Sequence, residues 1–180
     1  MPYAVELALD PTSADEVRRA WRELDGAGIT WMARSGARPY VSLGIWDTVD
    51  RDGAESELTR FAVETAPVRL TLASVGLFPG VAVFLAPTVT GELLDLHADI
   101  HRRFGRLGGG SWDHYRPDAW VPLCTLATDL EPHQFGSALA IAARVPLPLE
   151  CRLVEVGIVE FRPVKQLVSY GLDGSRRAGA

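Results

Sequence analysis

Near the start of the chain Tyr3, Val5, Leu7 and Leu9 alternate with Ala4, Glu6 and Ala8, a period-two pattern that predicts a strand with one apolar face. Asp10-Pro11 interrupts it. Val17, Ala20, Trp21 and Leu24 then recur at helical spacing and stop before Gly26 and Gly28, and Ser13-Ala14-Asp15-Glu16 carries capping-box spacing at the expected start of that helix. Alternation returns over Tyr40–Trp46, followed by a helix near Ala54–Thr65. Val68–Val75 and Val81–Ala86 are expected to be two strands joined by the turn Phe78-Pro79-Gly80. Leu93, Leu96, His97, Ile100 and Phe104 mark a second amphipathic helix. A glycine-rich loop is expected from Gly105 to Asp118, then a strand over Trp120–Ala127, a helix over Pro132–Arg144, and two or three β segments between Leu149 and Leu172, broken at Pro163.

This order predicts an α+β fold with mixed or antiparallel sheets covered on one face by helices. It also contains a repeat. Arg38-Pro39-Tyr40-Val41-Ser42-Leu43-Gly44 precedes one helix, and Val121-Pro122-Leu123-Cys124-Thr125-Leu126-Ala127 precedes another. Two such copies suit two similar lobes facing each other across a groove. The expected organisation is one bilobal domain over residues 1–172 and a mobile tail over 173–180.

Composition narrows the functions. With 180 residues, 47% of them apolar, the chain can bury a sizeable core, and its formal charge of −5 argues against a whole-surface footprint for nucleic acid or anionic membrane. Lys165 is the one lysine among eighteen basic residues, and asparagine is absent, a pattern of high-G+C coding rather than of chemistry. Cys124 and Cys151 lie in strand-like segments, so no disulfide framework is expected. No apolar run approaches the ~20 residues of a membrane helix. The N-terminus shows no basic stretch leading into an apolar core, and a cytoplasmic location is expected.

At the two repeated segments the chain resembles the 2H phosphoesterase superfamily, which includes bacterial 2′-5′ RNA ligase-like proteins and cyclic phosphodiesterases. The resemblance extends to Val75-Gly76-Leu77-Phe78-Pro79-Gly80, Leu93-Leu94-Asp95-Leu96-His97 and the Trp120-Val121-Pro122 lead-in. It implies a duplicated two-lobe fold with a central groove and helices outside. The family pattern is His-apolar-Thr/Ser-apolar, twice. One histidine serves as general base and the other as general acid across a phosphodiester, while the paired hydroxyls hold phosphate oxygens. This sequence departs at both decisive positions: Tyr40 stands at the first histidine's place and Leu123 at the second's, whereas Ser42 and Thr125 match. Leucine carries no titratable proton, and an unperturbed tyrosine titrates near ~10. The two-histidine reaction is therefore expected to be lost.

Strand alternation predicts the groove lining. Val41, Leu43 and Ile45 should pack on helices, leaving Tyr40, Ser42 and Trp46 toward the groove, and Leu123 and Thr125 should join them from the second segment. By the same rule Glu6, Arg69, Thr71, Phe84 and Glu155 belong to it. Such a floor suits a small organic ligand better than a phosphate chain. The loop at 105–118 is the candidate lid, hinged at Gly108-Gly109-Gly110 and presenting Trp112, His114 and Tyr115. Each of these residues also has a plainer reading. Glu6 can be a solvated strand residue, Tyr40 a packing residue, Ser42 and Thr125 good strand formers, and the loop a surface loop with a packed tryptophan. His97 and His101 share a helix face, but position 98 is alanine where a zinc motif needs glutamate; His97 is expected to pack, and His133 to lie at the surface.

Three functions follow. A repurposed 2H-fold protein would bind, and transform, a small partly apolar molecule, with Tyr40, Glu6 or His114 moving protons. A surviving phosphoesterase acting on RNA or cyclic nucleotides would have recruited a replacement acid or base. A non-catalytic module would bind a nucleotide or an RNA end. None calls for a metal, a cofactor, a membrane or an obligate protein partner.

Overall fold

A computed structural model describes residues 1–175. Its strands are β1 (Tyr3–Leu9), β2 (Tyr40–Val49), β3 (Val68–Phe78), β4 (Ala82–Pro87), β5 (Gly108–Ser111), β6 (Cys124–Thr128), β7 (Leu149–Glu160) and β8 (Lys165–Gly171). All eight join one sheet in the order β5-β2-β1-β7-β3-β4-β6, with β8 also paired to β7, and every pairing is antiparallel. One edge of β7 carries β1. The other is divided between β3, at Leu149–Leu153, and β8, at Glu155–Glu160. The helices are α1 (Pro11–Gly26), α2 (Trp31–Arg34), α3 (Arg51–Glu64), α4 (Gly91–Phe104) and α5 (Phe135–Ala142). None of them is long and apolar enough to cross a membrane.

The apolar stripes of the helices cover one face of the sheet. Val17, Trp21 and Leu24 of α1, Leu58 and Phe61 of α3, and Leu93, Ile100 and Phe104 of α4 join Val5, Leu7, Val41 and Leu43 in the main core. The opposite face carries a much smaller apolar cluster, Ala4, Ile45 and Val159, with Tyr115 and Phe161 against it. Apolar burial thus explains the helix-covered face and leaves the other partly open.

Several boundaries differ from those the sequence predicts. Asp10, not Ser13, caps α1: its carboxylate accepts the Ser13 N–H at 3.1 Å and also the Arg152 N–H of β7 at 2.8 Å, while Pro11 takes the first helical turn. The segment 120–123 stays outside regular structure, and β6 starts at Cys124. The helix expected over 132–144 is a 3-10 turn, Pro132–Gln134, followed by α5. The short α2 has no counterpart among the expected elements. Of the tail expected to be mobile, Asp173 donates its N–H to the Ala62 carbonyl at 3.1 Å, and residues 176–180 lie outside the described residues.

The loop expected to be a hinged lid is in part a strand. Gly108, Gly109 and Ser111 of β5 pair with Val49, Thr48 and Trp46. The glycines permit close packing there, since a side chain at Gly108 would collide with the Trp46 indole.

Candidate functional site

A β-bulge decides what faces the open side. Val5 of β1 pairs with Gly44 and Glu6 pairs with Ser42, so Leu43 is an extra residue on β2. Its carbonyl accepts a hydrogen bond from His101 Nε2 at 3.0 Å. Before the bulge Tyr40 and Ser42 face the open side; after it the parity reverses. Ile45 therefore turns to the open side, and Trp46 turns into the core against Phe104 (ring centroids 5.3 Å apart) and over Gly44 and Gly108. The sequence-based placement of Ile45 in the core and Trp46 in the groove is thus exchanged, because strict alternation assumes a strand without a bulge.

On this side lies a cavity of about 360 Å3. Glu6, Tyr40, Ser42 and Ile45 form one side of it, and Leu123, Thr125 and Thr128 the other. Trp112, just after β5, and Tyr115 of the following 3-10 turn reach in. Trp31, Met32, Phe78, Val81, Phe161 and Arg162 add most of the remaining wall. The sheet curves enough for β2 and β6, second and last along its path, to serve one site.

Both repeated segments are fixed through the same type of bond. Trp120 Nε1 donates to the Ser42 carbonyl at 3.1 Å, and Trp21 Nε1 donates to the Thr125 carbonyl at 3.0 Å. Trp120 in turn stacks on His97 (centroids 4.0 Å apart, planes at 6°), and His97 Nε2 donates to the Tyr115 carbonyl at 2.8 Å. Burial pushes His97 down to about 4, so it stays neutral at ordinary pH. His97 and His101 thus hold backbone from behind the site; neither lines the cavity.

Glu6 is the titratable centre of the cavity. It is only 4% exposed, and its Oε2 has no hydrogen-bond partner. Burial raises its pKa from 4.5 to about 8, against the opposing pull of the Arg38 guanidinium and a bond from Gln166. Arg38 lies against Gly157, where any Cβ would stand 2.7 Å from Nη2, and it pairs with Glu155, which also accepts from the Ser169 hydroxyl. The Tyr40 phenol is held well above its ordinary range, first by burial and then by Glu6, Tyr115 and Cys124, despite a bond with Thr125. Tyr115 is pushed up to about 12 by burial and Glu6. Near neutral pH the cavity therefore offers one carboxyl able to give or take a proton, two phenols that remain protonated, and the hydroxyls of Ser42 and Thr125.

Several expected site residues lie elsewhere. Arg69 sits in a separate depression with Asp10, Glu150 and Arg152, and the Thr71 hydroxyl donates to the Glu150 carboxylate at 3.0 Å. Register explains both: β3 meets β7 at Leu149–Leu153, away from Gly157, which pairs with Glu6. Phe84 covers Gly76 and packs on Phe78 (centroids 4.9 Å), so Phe78 reaches the cavity in its place. Glu155 acts on the site only through Arg38. His114 is exposed on the 3-10 turn and is not part of the lining, and His133 is exposed on another. Period two from Tyr40 back to Arg38 could have signalled the missed arginine. Phe161 and Arg162 follow the end of β7, where alternation no longer applies. Among the described residues no group of His, Cys, Asp or Glu is placed to hold a metal ion.

The chain matches the family model of the 2′-5′ RNA ligase superfamily over residues 9–164. Similar solved structures include Escherichia coli LigT complexed with NADP+, 18% identical with a TM-score of 0.57, covering 95% of this chain and 96% of that one. LigT complexed with 3′-AMP is also 18% identical at a TM-score of 0.57, with coverage of 96% and 99%. TT0787 of Thermus thermophilus is 17% identical at 0.59, with coverage of 96% and 98%. At these identities the likeness is one of fold. No curated protein matches the chain. The family model spans both repeated segments and the structures share the sheet that brings them together: the chain belongs to the 2′-5′ RNA ligase superfamily, and so to the 2H phosphoesterases.

Proposed function

We propose that this protein has left two-histidine phosphodiester chemistry and binds, and transforms by proton transfer, a small partly apolar organic molecule in the cavity between β2 and β6. The observation that carries this reading is the identity of the groups facing that space. Leu123 is wall, Tyr40 keeps its proton, and the one group titrating near neutrality is the buried carboxyl of Glu6. Glu6 is the acid or base and Tyr40 the hydrogen-bond donor, while Ser42 and Thr125 orient the ligand. Trp112, Tyr115 and Leu123 shape the apolar part. General acid–base groups contribute roughly 10²–10⁴-fold each, and Glu6→Gln and Tyr40→Phe are expected to lower turnover of the true substrate by that order.

The test is hydrolysis of 2′,3′-cyclic nucleotides and of a 2′-5′-linked dinucleotide at high protein concentration. No turnover is the expected result. Turnover abolished by Ser42→Ala/Thr125→Ala would overturn the reading and restore a phosphoesterase. A non-catalytic nucleotide-binding module is the second reading, favoured by the retained Ser42 and Thr125 and by Arg162 in the wall. Related structures have NADP+ or 3′-AMP bound. Saturable binding of 3′-AMP without turnover would select it.

A further inference from the structure

We infer that the ligand of the cavity is an organic amine, its ammonium N–H seated on Glu6 and its apolar body held by the aromatic wall. This rests on the reading of the cavity as a small-molecule site and names the chemical class that the site selects.

Glu6 Oε2 is buried, lines the cavity and lacks a partner, although a buried acceptor left unpaired is costly. Neighbouring protein groups do not supply the missing donor. Tyr40 faces Glu6 from β2, but its side-chain bond is with Thr125. Tyr115 faces it from the 3-10 turn and the buried Cys124 thiol from β6; Gln166 of β8 bonds the carboxyl but leaves Oε2 without a partner, and Arg38 faces it from the loop before β2. Arg38 brings a positive charge; its Nη1 is paired with Glu155, while its Nε and Nη2 are buried without a partner and make no bond to Oε2. Once Glu6 is ionised, Glu6, Arg38 and Glu155 together hold one net negative charge, which one monovalent cation balances. The other cation in the wall, Arg162, bonds Asp129 at 3.1 Å and lies over the Trp31 ring at 5.4 Å, so it is already matched.

The rest of the wall suits the same ligand. Trp31, Tyr40, Phe78, Trp112, Tyr115 and Phe161 place six aromatic rings around one carboxyl, the combination that attracts a cation and holds an apolar body. Phe78, Val81 and Trp112 are also solvent-exposed, which leaves the entrance apolar. A phosphate would meet a carboxylate at the centre instead, and a quaternary ammonium would bring no N–H for Oε2. A primary to tertiary amine satisfies both features. The cavity, at about 360 Å3, lies at the small end of the ~300–1,000 Å3 of small-molecule sites.

The pH dependence has a definite sign. Below about pH 8 the empty site holds a proton on Glu6, and an ammonium must displace it to form the ion pair. Affinity for an amine should therefore climb about tenfold per pH unit from pH 6 toward 8 and then level off, with proton release on binding. The experiment is calorimetric titration of the full chain with tryptamine, phenethylamine and cyclohexylethylamine, their matched alcohols, and 3′-AMP, at several pH values and in buffers of different ionisation enthalpy. At least one amine is expected to saturate on the order of tenfold or more below the Kd of its alcohol at pH 8.5. Glu6→Gln should abolish both this preference and the pH slope. Equal binding of amine and alcohol, a slope of opposite sign, or an unaffected Glu6→Gln overturns the amine assignment while leaving a small organic ligand in place. Binding of 3′-AMP alone, or of none of the probes, overturns the amine and the small-molecule reading together. Should Glu6→Gln not fold, the amine–alcohol contrast and pH slope of the unaltered protein decide the matter.

Discussion

The two repeated segments start from similar sequences and are anchored by the same device, an indole N–H on the carbonyl of the hydroxyl-bearing residue, yet they contribute differently. The first places Tyr40 and Ser42 beside a buried carboxyl and an arginine, and its strand is bent by a bulge whose carbonyl His101 holds. The second enters the site before its strand begins, so Leu123 supplies wall while Thr125 bonds Tyr40 across the cavity. One half of the site concentrates charge and the other supplies shape. A duplicated scaffold can therefore lose its chemical symmetry while keeping its mechanical symmetry, since backbone anchors do not depend on which side chain occupies the neighbouring position.

The strongest way to break this arrangement is at the second anchor. Trp21→Ala removes a side chain only 4% exposed as well as the donor to Thr125, and should cost about 3–5 kcal/mol in urea denaturation. An equally large loss is expected at the first anchor from Trp120→Ala only if the His97 stack matters as much as burial; with Trp120 partly exposed, a smaller loss is expected.

Of the same order is the pH dependence set by Glu6. Between about 4.5 and about 8 the folded protein keeps a proton that the unfolded chain releases, so this group makes stability fall as pH rises through that window, by up to about 1.4 kcal/mol per unit. Glu6→Gln should be more stable than the unaltered protein at pH 8, with the difference vanishing toward pH 4.5. Thermal unfolding across pH reads it directly, and a constant difference would contradict the assigned burial effect.

His97 acts with the opposite sign. The unfolded chain takes up a proton below about 6.5 and the folded protein only below about 4, so stability falls as pH drops through that interval. From 4.5 to 6.5 the slopes offset each other, and Glu6→Gln should unmask the joint slope of His97 and of His101, whose pKa burial also lowers. The same denaturation series checks this: a Glu6→Gln protein whose stability stays flat from pH 6.5 to 4.5 would remove both imidazoles from the account.

The smallest expected change is Thr125→Val. It keeps the backbone anchor and the β-branched shape but loses the bond with Tyr40, costing about 0.5–1.5 kcal/mol. A loss equal to that of Trp21→Ala would mean that the hydroxyl, not the indole, organises the second segment.

Most of the sheet is legible in alternation because one face is buried by helices: Val5 and Leu7, Val41 and Leu43, Val83 and Leu85 carry that signal. The site is less legible, for three local reasons. Parity assumes no bulge, so Ile45 and Trp46 exchange places. Face alone does not give position along a strand, so Arg69 and Thr71 fit the right pattern at the wrong end of the register. Finally, Gly108-Gly109-Gly110 reads as slack in a sequence, whereas here small size permits a strand to lie across the Trp46 indole. Tyr40, Ser42, Thr125 and Leu123 reach the cavity because they precede the bulge or face β2 directly.

The strand pairings also set the order of events during synthesis. β1 is made first, but one of its two neighbours is β7, and β7 also supplies an edge to β3 and β8. Until β7 has left the ribosome, the half-sheet β5-β2-β1 and the half-sheet β3-β4-β6 have no strand between them, and β1 and β3 each carry an unpaired apolar edge. Pairings this distant along the chain close slowly, and open edges are prone to wrong partners. A nascent chain halted before Leu149 is thus the species in which this protein is most exposed to aggregation, and the one in which Glu6 is still without the strand that encloses it.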